Sequence, residues 1–145
     1  MLLRFIQGAM LLGLTVAIHV AALSAMLQIF QKRYHEKPPV GFIAYSCLLT
    51  GMAAVTVLAH LFEIALWAAF YTWKEALPDL ETSFYFSSVT YSTIGYGDIV
   101  LPQPWRLVGA MEGLTGILMC GLSGAFFFAV ISRLYALSHT SEPQH

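Results

Sequence analysis

Residues 90–100, TYSTIGYGDIV, bring Thr93, Ile94, Gly95, Tyr96, Gly97 and Asp98 together between long apolar runs. A Gly-x-Gly loop can serve two opposite chemistries. To cradle a phosphate it needs a preceding strand and a following helix whose N-terminus faces the anion, and in the P-loop form a lysine as well. Here the residues before the loop read as a helix, and no lysine follows the glycines. The end of that helix carries partial negative charge, which favours a cation. The cation reading also gives each residue a task. Gly95 and Gly97 permit positive φ, so successive carbonyls can turn to one side instead of alternating. Thr93 adds a hydroxyl oxygen, while Ile94 and Tyr96 are expected to turn away into packing that braces the loop. Stacked rings of backbone oxygen can replace the hydration shell of an ion. One loop supplies one side of each ring, so several chains must share the path.

A second set of chemistry-bearing residues lies inside apolar sequence. His60 and Glu63 are three apart, on one face of a helix. Counted from the aromatic ends of their segments, Glu63 is ~15 Å deep and Glu112 ~9 Å deep. Intramembrane carboxylates are costly and face protein or water. The expectation is that they hydrogen-bond Ser87, Ser88, Thr90 or loop backbone and so brace the loop. The sharper alternative is that one of them titrates and gates a pore. His19 reads as a packed, neutral histidine with no second ligand beside it. Cys47 and Cys120 read as small hydrophobes rather than a disulfide or metal pair. Nucleophile–base pairings and zinc spacings are lacking, so no enzyme is indicated.

The elements that hold these residues are membrane elements. The 145 residues are 58% hydrophobic and 10% charged, with mean hydropathy +0.70. A soluble protein this apolar would expose large sticky patches, so the bilayer is the expected solvent. The net charge of −1 gives no reason to invoke nucleic acid. Apolar segments run from about residue 5 to 31, from Lys37-Pro38-Pro39 to about 73, and from about 105 to 131. Each reaches the ~20 residues that a helix needs to cross ~30 Å of hydrocarbon. The first is too long for the core of a cleaved signal peptide, the alternative for a run behind Arg4. Residues 82–93 are too few to span but suit a re-entrant helix, with Thr82 or Ser83 as its cap. Re-entrant backbone is tolerated only inside protein or beside water, which implies a water-filled path. Lys32, Arg33, Lys37 and Arg133 lie on one side, against Arg4, Lys74 and Arg106 on the other. That four-to-three margin puts the C-terminus in the cytoplasm and the N-terminus outside the plasma (inner) membrane. Trp67, Tyr71, Trp73 and Trp105 fit an outer interfacial belt.

On these residues the chain resembles the potassium-channel pore family. TIGYGD is similar to that family's selectivity filter, whose usual form has Val where Ile94 stands, and the likeness runs from about Phe42 to Leu134. The carbonyl-ring chemistry above is that of potassium-channel filters in general. The resemblance implies an all-α membrane protein of three transmembrane helices with a re-entrant pore helix and selectivity-filter loop, assembled as a four-fold homotetramer in the lipid bilayer. It implies potassium ions at the carbonyls of Thr93, Ile94, Gly95 and Tyr96, with Asp98 at the outer mouth, and no cofactor. Residues 1–37 form an extra helix and basic loop, 38–135 the pore domain and 136–145 a short tail. Departures accompany the match. Val89 stands where some members carry a glutamate that pairs with the aspartate, so Asp98 needs another partner. Tyr85 and Phe86 replace a tryptophan pair, which alters the cuff around Tyr96. Gly109, Gly113, Gly116, Cys120 and Gly124 make a small-residue stripe suited to close helix approach, and Gly116 falls near the family's inner-helix hinge. No span carries arginine at every third place, so a voltage sensor is not expected. The first helix has no evident chemical role; it is expected to wall the tetramer or to pack against the outer helix. The expected function is passive, potassium-selective conduction. The alternatives are a weakly selective cation channel on the same scaffold, a non-conducting decayed pore, or a regulatory membrane subunit.

Overall fold

The computed structural model describes residues 2–34, 39 and 41–140, and of 137–140 the backbone alone. Lys37 and Pro38 of the expected basic loop, and 141–145 of the expected tail, lie outside the described residues. The architecture is all helical: α1 (Leu2–Tyr34), α2 (Phe42–Trp73), α3 (Leu80–Tyr91) and α4 (Arg106–Thr140), the last entered through a short 3-10 turn at Gln103–Trp105. Three of these helices are long and apolar enough to cross a membrane. At 1.5 Å per residue, 33 residues of α1 reach about 50 Å, so each long helix overhangs the hydrocarbon by turns at its ends. Lys32, Arg33 and Arg133 therefore ride on helical ends rather than on loops.

The helix ends follow from local chemistry. The α2 terminus is a Schellman turn, with Ala76 N–H bonding Tyr71 C=O at 2.9 Å and Glu75 N–H bonding Thr72 C=O at 3.0 Å. Glu75 takes the left-handed position usually given to glycine, at φ 52°. After Pro78 the chain restarts at once. The cap of α3 is Asp79, not Thr82 or Ser83: its carboxylate accepts the Thr82 N–H at 2.7 Å and the Thr82 hydroxyl at 3.0 Å. Thr82 is the N3 residue whose N–H needs an acceptor, which is why the helix starts two residues earlier than expected. Those bonds hold the Asp79 carboxyl below the usual carboxylate range.

α3, at 12 residues, is too short to span, and it packs between α2 and α4. α1 lies against α4 and α2. It runs parallel to α4: Arg4 stacks over the Trp105 ring at 5.1 Å, a Cβ on Gly8 would meet Met111 at 3.0 Å, and Phe30 joins Val130 and Leu134 at the other end. The core is split accordingly. One cluster holds Leu11, Trp67, Tyr71, Tyr91, Val108 and Met119, and a second holds Met26, Phe30, Met52, Val130 and Leu134. At the expected belt, Phe70 meets Trp105 edge-on at 5.7 Å and Trp73 at 6.4 Å, which ties the end of α2 to the start of α4.

Candidate functional site

The glycine loop leaves α3 in a tight sequence of bonds. Thr93 N–H donates to Thr90 C=O at 3.0 Å, and the N–H groups of Ile94 and Gly95 both donate to Val89 C=O at 3.0 and 3.2 Å. Thr93, Gly95 and Gly97 then take φ of 61°, 57° and 77°. Positive φ at every second residue breaks the strand-like pattern in which carbonyls point alternately left and right. The glycines are needed where the sequence has them, and Thr93 adopts the same conformation without that freedom. Residues 92–98 are exposed along their whole length. Ile94 is 55% and Tyr96 71% accessible, so this chain does not supply the packing expected behind their side chains. Behind the loop lies a cavity of about 180 Å³, bounded among others by Tyr85, Phe86, Val89 and Thr90.

Asp98 finds its partner within the chain. The Tyr85 hydroxyl donates to Asp98 Oδ2 at 2.7 Å. That bond holds the Asp98 carboxyl below its ordinary range. A residue that looked like a mere substitution in the aromatic cuff thus replaces the missing acidic partner at Val89.

The intramembrane polar residues divide differently from the sequence grouping. Glu63 is fully buried and bonds none of Ser87, Ser88 or Thr90. Its Oε1 lies 2.8 Å from His19 Nδ1, its Oε2 accepts the Tyr91 hydroxyl, and His60 Nδ1 stands 3.8 Å away. His19 is not solitary. It is fully buried, with Glu63 on one ring nitrogen and Ser123 on the other, and its ring centroid is 4.9 Å from that of His60. The helix spacing that made His60 and Glu63 visible within α2 carries no information about α1, so His19 could be found only as an ionisable residue inside a span. Tyr91 and Ser123 gave no signal of their own.

Glu112 belongs to a separate site. Its Oε2 accepts the Tyr71 hydroxyl at 2.9 Å, which joins α4 to α2. Glu112 Oε1 and the Ser87 hydroxyl are buried without a hydrogen-bond partner among the described residues. Ser83, one turn earlier on α3, receives the Thr72 hydroxyl at 2.9 Å. Both carboxylates therefore brace the region, chiefly through tyrosines, with the expected Ser87 close enough to Glu112 to interact with it electrostatically.

Gly116 sits where α4 passes α3. A Cβ there would fall 1.9 Å from the Tyr91 carbonyl oxygen, so no other residue fits. On the same stripe, Gly113 faces Thr90 and Gly109 faces Leu101 and Phe86, whereas Gly124 meets nothing within 4 Å and Cys120 is exposed. The N-terminal half of the stripe thus admits α3 and the chain after the loop. α4 runs unbroken through Gly116.

A family model described as an ion channel matches residues 55–133, which takes in most of α2, all of α3, the glycine loop and α4 as far as Arg133. No curated protein and no solved structure matches the chain.

Proposed function

The chain belongs to the ion channel family and is an integral membrane protein, and from that premise we propose that it conducts potassium selectively as a homotetramer. α2, α3, the glycine loop and α4 (38–135) form the pore domain, with α3 as the re-entrant pore helix. The carbonyls of Thr93, Ile94, Gly95 and Tyr96, with Gly97 and Asp98 at the outer end, make the ion path. The observation that carries this reading is the alternation of positive φ at Thr93, Gly95 and Gly97 directly beyond the negative end of α3. The exposure of the loop supports assembly, since a single chain encloses no ion and leaves Ile94 and Tyr96 uncovered. Conduction is passive, with potassium as permeant ligand and no cofactor. The C-terminus lies in the cytoplasm and the N-terminus outside.

A weakly selective cation channel is the second reading. The cavity behind the loop, beside Tyr85 and Phe86, favours it, because a loosely backed loop adapts to more than one ion. Purified protein in a planar bilayer, with potassium on one side and sodium on the other, separates the two. A reversal potential close to the potassium equilibrium value is expected. A value near zero supports the second reading, and no current under any condition overturns both.

A further inference from the structure

Five side chains from all four helices close a ring in the buried centre of the chain. Glu63 Oε1 meets His19 Nδ1 at 2.8 Å, and His19 Nε2 meets Ser123 Oγ at 3.0 Å. Ser123 Oγ meets His60 Nε2 at 3.2 Å, His60 Nδ1 meets the Tyr91 oxygen at 3.1 Å, and Tyr91 donates to Glu63 Oε2. Five contacts need five protons. With Glu63 ionised and both imidazoles neutral, each imidazole, Ser123 and Tyr91 bring one, which makes four. One contact in a buried network is then left unfilled, a costly arrangement.

A divalent cation removes the shortage. We propose that His19, His60 and Glu63 form a binding site for a first-row transition metal ion of the zinc class. Both Nδ1 lone pairs and Glu63 Oε1 would face the ion. Each Nε2–H then donates to one of the two lone pairs of Ser123 Oγ, and Tyr91 donates to the carboxylate oxygen that remains. All three ligands thus keep a partner that fixes their orientation, the arrangement that metal-binding imidazoles and carboxylates require. The Ser123 O–H is freed to bond back to its own helix, as Thr115 does at 2.8 Å.

The donor set and the dimensions agree. Two imidazoles and a carboxylate suit zinc, and its bonds to N and O are about 2.0–2.2 Å. In a tetrahedral site, ligand atoms on such bonds stand about 3.3–3.6 Å apart. Those of His19, His60 and Glu63 all lie within 4.8 Å of one another, so the widest pair needs to close by up to about 1.5 Å, within reach of side-chain rotation. Two positive charges against one carboxylate leave a surplus, and α3 ends at Tyr91 with its partially negative pole beside the site. The site would also give α1 a task, because His19 is the ligand that comes from outside the ion-channel match.

The test is the chelator-stripped full-length protein in detergent, titrated with Co²⁺ and then Zn²⁺. Visible ligand-field absorption from about one Co²⁺ per chain, bleached by Zn²⁺, is expected of a tetrahedral nitrogen–oxygen site. His19→Ala and Glu63→Gln should abolish the signal, and Ser123→Ala should weaken binding on the order of 10-fold through lost orientation. Zn²⁺ should raise the unfolding temperature of the wild-type protein. Absence of the absorption in folded wild-type protein overturns the proposal, as does binding that is unchanged in the His19 and Glu63 variants. These readouts need no ion current and are independent of conduction.

Discussion

The glycine loop and the buried ring meet at the C-terminal end of one short helix, α3, and are built on opposite plans. The loop exposes every residue from 92 to 98 and works with backbone groups. The ring is closed within one chain and works with side chains: His19, Glu63 and Tyr91 are each at most 2% accessible. The loop is left open by its own chain, whereas the ring closes within it. They meet at Tyr91, whose hydroxyl belongs to the ring and whose carbonyl is pressed against Gly116, two residues before the loop's first positive φ. The structure thus separates an exposed backbone loop from the buried side chains that hold the helix before it.

The sharpest way to break that division is Gly97→Ala. A Cβ at Gly97 meets nothing within 4 Å in this chain, and the exposed loop can relax out of φ 77° without disturbing the helices, so the folded protomer should keep its unfolding temperature. The left-handed conformation still costs a non-glycine residue about 1–2 kcal/mol, and the loop repeats around the proposed axis. Loss of selective potassium flux with unchanged thermal stability is expected. A protein that loses both would show that the loop is part of the fold after all.

The ring should show the reverse order of effects. Glu63→Leu leaves the His19 and Tyr91 donors without their buried acceptor, which costs about 1–3 kcal/mol for each unsatisfied group. Thermal unfolding in detergent should register a large fall before any change in ion selectivity. A shift no greater than that of a lipid-facing substitution such as Leu58→Ala would mean that the ring is not what holds the helices.

Gly116→Ala tests the point where the two plans touch. Overpacking a tight site costs typically about 1–3 kcal/mol, and here the obstacle is backbone, which cannot rotate away. Gly124→Ala, with open space around it, is the matched control and should leave stability unchanged. Altered gating in Gly116→Ala would therefore not by itself identify a hinge. A hinge is supported only if gating changes while the unfolding temperature holds.

How much of this was readable from sequence follows from where each interaction lives. The loop was legible because its information is local: Gly95 and Gly97 are glycines for a reason of φ, and the preceding helix sets the sign of the charge. The three spans were legible from length and hydropathy alone, but of the expected aromatic belt only Trp73 and Trp105 keep exposed surface, whereas Trp67 and Tyr71 are fully buried in the core. The α3 start lies two residues before the expected one, because the carboxylate of Asp79 caps the helix it precedes. His19 and Ser123 were not legible as partners. They are 104 residues apart and meet only once α1 has packed parallel to α4. Tyr85 is the intermediate case: its identity was noted as a departure, and its role appeared only with the distance to Asp98.

That last contact yields the smallest effect and the most specific one. The Tyr85 hydroxyl favours the ionised form of Asp98 and depresses its pKa in the folded protein. A group depressed in this way contributes above its unfolded pKa, and the contribution is lost as pH falls through the folded value. In the wild-type protein the Asp98 contact should therefore survive acidification past about 3.9, the ordinary aspartate value. Tyr85→Phe removes the donor and keeps the ring, so the folded pKa rises towards that ordinary value and the acid-induced loss begins at higher pH. Potassium flux recorded against external pH should show the wild-type curve displaced to the acid side of the variant. Coincident curves would mean that Asp98 is held by something other than Tyr85, and that the outer end of the loop, like its exposed flanks, depends on neighbouring chains.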